Sequence, residues 1–279
     1  MSILTQSLRR PKIKHKWNVP LGIVEGIVAY NCRLRNFPIP VLSLPFWEGA
    51  GNRAFDVSGK MNHGSLVNHT KWVAGMSGGT ALQLDGADDY ISTVHTASVD
   101  ITGSVITLEA WVNLRARTNP TYNTIIGKQH WGVYQYGMVI AGANWGPDAG
   151  KVFFYIYDGT TQLAAYGNTV IPFNVWTHLI VTADGTNVKF YYNGNLDATR
   201  AQGGIVMATN SQQLCIGRHG DNKYYFDGKI DAARIYNRDL SAAQAMELCI
   251  NPYGMFIDTI PPPCETPTCS FVIQINQKY

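Results

Sequence analysis

Apolar and polar residues alternate from Ser104 to Arg115. Ile106, Leu108, Ala110, Val112 and Leu114 fall on one side, and Thr107, Glu109, Trp111, Asn113 and Arg115 on the other. A period of two belongs to a β-strand with one face in a core and the other facing a groove or solvent. From Gly26 onward, further short apolar runs are separated by Gly, Asn and Asp at the spacing of a β-sandwich. Hairpin turns are predicted at Asp158-Gly159, Asp184-Gly185 and Asn193-Gly194, where Gly supplies positive φ. One helix is predicted, over Ala242–Cys249, because Ser241 and Gln244 form a capping box and Pro252 stops the element. Three regions follow: an arm over 1–25, a sandwich over 26–256 and a tail over 257–279. In the tail, Pro261-Pro262-Pro263 precedes the strand-like Phe271–Ile275.

Composition supports an all-β chain. There are 27 Gly, 15 Tyr and 7 Trp in 279 residues, and aromatics favour pleated strands while Gly marks turns. The net charge of +3 conceals an asymmetry. Residues 1–35 carry seven Lys and Arg, including Arg9, Arg10, Lys12, Lys14 and Lys16, against the single acid Glu25. A short basic arm on a near-neutral body suits docking to an acidic surface or a neighbouring subunit, whereas a nucleic-acid groove needs a continuous basic stripe, so no specific nucleic-acid partner is expected. No segment has the length of a membrane span, and the first residues lack the apolar core of a secretory signal, so folding in a cytoplasm is expected. The five cysteines, an odd number, are scattered, which argues against a disulfide framework; Cys264 and Cys269 could bridge across ETPT, but free thiols are expected in a cytoplasm.

Two regions offer binding chemistry. Asp56, Gly59, Asn62 and Gly64 lie in a loop whose side-chain oxygens and glycine-freed carbonyls suit a hard cation such as calcium; equally, Asp56 and Ser58 could simply cap a turn. Trp131, Tyr134, Tyr136 and Trp145, with Tyr224 and Tyr225 in a second loop and Trp111 on the alternating strand, combine aromatic faces with neighbouring amides and carboxylates. Such surfaces stack on sugar rings or form oligomer interfaces. Catalytic signatures are weak. Gly75–Gly79 matches G-x-S-x-G but precedes a strand, so it is assigned to a glycine loop. The seven histidines show no metal-protease spacing.

The segments FWEGAGNRAFDVSGKMNHGSL, LQLDGADDYIST, ITLEAWVNL, WTHLIVTADGTNVKFYYNGNL and FDGKIDAARIYNRDLSAAQAMEL occur in the order found in laminin-G-like, concanavalin A-like jelly rolls, and the chain resembles that family over 26–256. The resemblance implies two antiparallel sheets packed as a jelly-roll sandwich and adds Asp231 as a second carboxylate closing a calcium site; the alternative is that Asp231 pairs with Arg234 or Arg238. Glucanases of this kind carry Glu-x-Asp-x-x-Glu on the strand matching Leu108–Leu114, where this chain has Glu109 followed by Trp111, so a non-enzymatic role is expected. The opening PKIKHKWNVPLGIVEGIVAY and the ending AMELCINPYGMF are similar to flanks of modules encoded in tailed bacteriophage genomes. That looser likeness implies a virion-associated accessory protein such as a capsid decoration, fibre or tail component, with weak glycan adhesion as an added role, assembled in the host cytoplasm as a homo-oligomer beside other capsid proteins, with the two ends as assembly arms. A lectin-like module binding a cell-surface glycan is the alternative, and a degenerate glycoside hydrolase the third reading.

Overall fold

The computed structural model describes residues 38–130, 133–220 and 222–254. The strands are, in chain order, β1 (Leu42–Leu44), β2 (Arg53–Ala54), β3 (Gly64–Val67), β4 (Lys71–Ala74), β5 (Thr80–Asp85), β6 (Tyr90–Thr93), β7 (Val105–Ala116) and β8 (Tyr122–His130). They continue as β9 (Val133–Ala141), β10 (Lys151–Tyr157), β11 (Gln162–Val170), β12 (Trp176–Asp184), β13 (Asn187–Tyr192), β14 (Asn195–Ala201), β15 (Leu214–Ile216) and β16 (Asp227–Tyr236), followed by helix α1 (Ala242–Ile250). One sheet has the order β14-β13-β12-β7-β16-β5-β4, with β1 also paired to β16; the other runs β11-β10-β9-β8-β15-β6-β3-β2. Neighbours in both sheets are antiparallel, as expected of a jelly roll.

The core lies between the sheets. Ile106, Leu108, Ala110, Val112 and Leu114 of β7 meet Phe154 and Ile156 of β10, Ile126 of β8 and Leu214 and Ile216 of β15 there, so the alternation of β7 is confirmed on its inner side. Truncating one such leucine to alanine costs about 2–5 kcal/mol, depending on how far the void collapses. Of the three expected hairpins, Asn193-Gly194 has positive φ at both turn residues (48° and 80°), which matches the twist of its flanking strands. At the other two turns only the glycine is left-handed, and the preceding aspartate closes the loop by accepting amide hydrogens, Asp158 from Thr160 and Thr161 and Asp184 from Thr186 and Asn187. Helix α1 forms with both halves of its capping box, Ser241 Oγ accepting from Gln244 N and Gln244 Oε1 from Ser241 N. Gly75–Gly79 is a 3-10 turn joining β4 to β5, in keeping with a glycine loop. Among the described residues no helix is long and apolar enough to cross a membrane.

Several register shifts interrupt the ladders, and three of them decide where residues picked out by sequence or lining the aromatic side face. An extra residue at Ile125 in β8 turns both Ile125 and Ile126 inward, one at Gln135 in β9 reverses the alternation there, and one at Asp231 in β16 removes that residue from the ladder. The arm (1–25), the start of the expected sandwich and the tail (257–279) lie outside the described residues.

Candidate functional site: the outer faces of the two sheets

On the outer face of the β7 sheet, Glu109 is 1% exposed, where an exposed carboxylate was expected. Its Oε1 accepts from Arg234 Nη1 at 2.5 Å and lies 3.2 Å from His178 Nε2, and its Oε2 accepts from Tyr236 at 2.8 Å. Arg234 also donates to the Pro252 carbonyl, in the segment that follows α1. Beside this cluster, Tyr236, Ile180, Tyr191 and Leu240 pack with Ala245 and Leu248 of the helix. The helix therefore seals what the strand alternation left open. Burial alone would raise the Glu109 pKa, but the Arg234 charge and the hydrogen bonds from His178 and Tyr236 overrule it and hold the carboxyl below its usual range. Trp111 is also buried, stacked on His178 with ring centroids 4.9 Å apart, so it is not placed to stack on a ligand.

The outer face of the other sheet is different. Phe153, Tyr155 and Tyr157 alternate outward along β10, opposite the core residues Val152, Phe154 and Ile156. Phe153 stacks with Tyr122 of β8 (5.5 Å, planes 7° apart) and Tyr166 of β11 (4.8 Å), and Trp145 lies 5.6 Å from Phe153. Gly137 makes room for this bed, because a Cβ there would fall 2.1 Å from the Tyr155 hydroxyl. The loop from Arg218 to Tyr225 closes one side. Its Tyr224 carbonyl accepts from Thr124 N, and its ring meets Tyr122 and His219 edge-on at 5.1 and 5.3 Å. Tyr224 holds φ at 57°, a strained conformation for an aromatic residue and one that gathers at functional sites. The Arg218 guanidinium sits 3.7 Å from the Tyr90 ring centre, a cation–π contact that fixes the base of the loop.

Directly across the ladder from Tyr134, on the same side of the sheet, the Gln129 side chain is 1% exposed, and neither its amide nitrogen nor its oxygen has a partner among the described residues; the Thr124 hydroxyl is in the same state. A buried polar group without a partner costs about 1–3 kcal/mol, a cost that a water or a ligand reaching it would relieve. Burial pushes the Tyr166 hydroxyl up to about 12, with the Asp148 charge adding, and pushes the Tyr122 hydroxyl up as well, so both remain donors throughout the neutral range.

Of the residues picked out by sequence, Tyr134, Trp145, Tyr224 and Tyr225 lie on or beside this face, Tyr134 packing on Tyr155, Tyr157 and His219 and Tyr225 on Tyr90. Tyr136 does not: the bulge at Gln135 turns it into the core, where it donates to the Val99 carbonyl. Trp131 and the basic residues Arg9, Arg10, Lys12, Lys14 and Lys16 lie outside the described residues. Sequence reading missed Tyr122, Phe153, Tyr155, Tyr157 and Tyr166, although the alternation of aromatics in KVFFYIY carried the signal.

The expected calcium ligands are engaged otherwise. Asp56 Oδ1 accepts from Ser43 N and Ser58 N, and Oδ2 from Ser58 Oγ and Asn62 N, at 2.8–2.9 Å. Asn62 donates to the Val41 carbonyl and accepts from Thr96 Oγ1. Asp231, on its bulge, accepts from Met76 N and the Tyr253 hydroxyl rather than pairing with Arg234 or Arg238. Gly59 provides a left-handed turn (φ 82°), and Gly64 leaves space for Ile91. These carboxylates direct their lone pairs at protein donors, so the donor set does not fit a resident cation; it ties the loop to β1 and the bulge to the glycine turn.

The two packed antiparallel sheets define a jelly-roll β-sandwich. A family model described as the concanavalin A-like lectin/glucanases superfamily, a laminin G type, matches residues 85–246, and the chain belongs to that family. No curated protein matches it. Among solved structures, the binding domain of Paraclostridial Mosquitocidal Protein 1 aligns at TM-score 0.62 and 15% identity, over 77% of this chain and 52% of that one. The binding domain of botulinum neurotoxin serotype G aligns at 0.57 and 16%, over 75% and 50%. The chain thus spans about half the length of these toxin domains. It covers 98% of domain 4 of AbnA, an extracellular arabinanase from Geobacillus stearothermophilus solved with arabinotriose, with 75% of this chain aligned at TM-score 0.58 and 19% identity. At such identities the likeness establishes the fold.

Proposed function

We propose that the chain is a non-catalytic glycan-binding module that receives neutral sugar rings on the outer face of the β8–β9–β10 sheet. The observation that carries this reading is the unpartnered amide of Gln129 on the aromatic side of the sheet, directly across the ladder from Tyr134, whose ring meets His219. Sugar rings present C–H faces that stack on aromatics and hydroxyls that both donate and accept, which is what rings and an unpaired amide on one side of a sheet offer. The solved structure of the arabinanase domain with arabinotriose is in keeping with the reading. A role without turnover is supported by Glu109, whose carboxylate is committed to Arg234 and Tyr236 beneath a helix and is not paired with a second acid on its strand. On a phage particle, the setting that the looser resemblance implies, such a face would serve attachment to a host surface.

An array of neutral oligosaccharides, followed by titration of the best binder, tests the proposal. Tyr224→Ala and Trp145→Ala should each weaken binding about tenfold, a loss near 1.4 kcal/mol and in the range of one aromatic contact, with little change in melting temperature. Absence of binding across the array, or full affinity in both variants, rejects the reading.

A further inference from the structure

The structure assigns a second binding site, on the outer face of the β7 sheet at the end away from the helix, and its ligand is a carboxylate-bearing sugar. A depression of about 190 Å³ opens there, lined by Gln83 of β5, Asn113 and Arg115 of β7, Gly228 and Lys229 of β16, and Asn174. Its size, below the roughly 300–1,000 Å³ of drug-sized ligand sites, suits a single sugar residue. Strand register builds it: Trp176, Asn113, Lys229, Gln83 and Lys71 form one row across five adjacent strands. This row is two residues further along β7 than Trp111, beyond the part of the face where the helix packs.

Charge and hydrogen bonding identify the ligand class. The Arg115 guanidinium is already committed, donating to Asp227 Oδ1 at 2.5 Å and to the Asp85 carbonyl. The Asp85 carboxylate in turn accepts from the amides of Ala87 and Asp88. Among the described residues, no hydrogen bond or ion pair engages the Lys229 ammonium or the side-chain amides of Gln83, Asn113 and Asn174. One uncompensated cation, with Lys71 next in the row, favours an anionic group. Three amides add acceptors to the donors, which favours an anion that also carries hydroxyls: their carbonyl oxygens accept from hydroxyls, while their N–H groups donate to ring, hydroxyl and anion oxygens. A sugar acid supplies both halves, its carboxylate to Lys229 and its hydroxyls to the amides. This inference does not rest on the aromatic face.

Calorimetry on the full chain at low salt, with digalacturonate and its uncharged counterpart galactobiose as probes and a sulfated galactobiose as a third arm, tests the site. Digalacturonate should bind about tenfold more tightly than galactobiose, the worth of one hydrogen bond to a charged group, and the preference should shrink as salt is added. Lys229→Gln should abolish the preference and Asn113→Ala should weaken digalacturonate itself, while Tyr224→Ala changes neither. The inference is overturned if digalacturonate does not bind, if it binds no better than galactobiose, if the sulfated probe binds as well, or if Lys229→Gln keeps the preference.

Discussion

The two outer faces of this sandwich put similar ingredients to opposite uses. On the β7 sheet, charge is drawn inside: Glu109, Arg234, His178 and Tyr236 form a buried cluster, and α1 packs its apolar side beside it. On the β8–β9–β10 sheet no α-helix packs among the described residues; the partly buried Tyr122, Tyr134, Tyr166 and Trp145 surround the buried Phe153 and Tyr155, and the Gln129 amide and Thr124 hydroxyl on that side lack a partner. Among the described residues single polar atoms lack a partner on both faces, Arg234 Nε, His178 Nδ1 and Trp111 Nε1 on one and the Gln129 amide and Thr124 hydroxyl on the other. What differs is the cover: the helix and the segment after it close over the first, while partly exposed rings border the second. A face is competent for binding because of what it leaves within reach, and the presence of polar side chains is not enough.

Breaking the sealed face should give the largest effect. Arg234→Met leaves the Glu109 charge buried without its main partner, and the expected loss is about 3–5 kcal/mol in chemical denaturation. Because replacing both partners by apolar groups of similar volume is often neutral, Glu109→Leu combined with Arg234→Met should recover most of that loss. A single variant as stable as the wild type would mean that the cluster is solvated, and the contrast between the faces would collapse.

A smaller effect follows from protonation. Glu109 ionises at lower pH in the folded protein than in the unfolded chain, so on acidification the unfolded state takes up the proton first. The pair therefore contributes stability in full above the unfolded carboxylate value of about 4.3, and that contribution disappears as pH falls through the lower folded value. Asp85, Asp100 and Asp184 are also depressed, by backbone amide hydrogen bonds that overcome the penalty of burial, helped at Asp100 by Lys128 and at Asp184 by Lys189. The diagnostic quantity is therefore a difference: stability should fall less steeply below about pH 4.3 in the Glu109→Leu, Arg234→Met protein than in the wild type. Parallel curves would show that Glu109 titrates as it does in an open chain.

The contrast also explains what the sequence could reveal. Inner rows were legible because each strand is governed by a single rule, an apolar side facing a core, and β7 and the capped helix obey it. Outer rows were not, because their fate depends on what covers them. The same alternation that placed Glu109 and Trp111 on an outward face could not show that a helix more than a hundred residues later closes over it. Bulges set the second limit. Tyr134 and Tyr136 are two apart and should share a face, yet the extra residue at Gln135 sends one to the aromatic bed and the other to the core. Gln135 is held by hydrogen bonds to Asp100 and the Ile101 carbonyl, contacts too distant in sequence for any local pattern to display. Asp231 shows the same limit, since the bulge that frees it from the ladder turns its carboxylate to Met76 and Tyr253.

The smallest expected effect separates a carboxylate that organises a loop from one that holds a cation. Each oxygen of Asp56 already accepts two protein hydrogens, three of the four from backbone amides, so a calcium ion would have to displace those amides, and the gain from coordination would be offset by leaving them unpaired. Melting temperatures in calcium and in EDTA should therefore agree within about one degree, since a stabilisation of 1 kcal/mol would appear as about 2–4 °C in a domain of this size. Asp56→Asn sharpens the test. It removes the charge and lets the new amide nitrogen present donors to donors, so it should lower the melting temperature equally in both media. A loss confined to the calcium medium, together with one equivalent of calcium by elemental analysis of the wild type, would instead make Asp56 a metal ligand and return the loop to the family's cation-binding pattern.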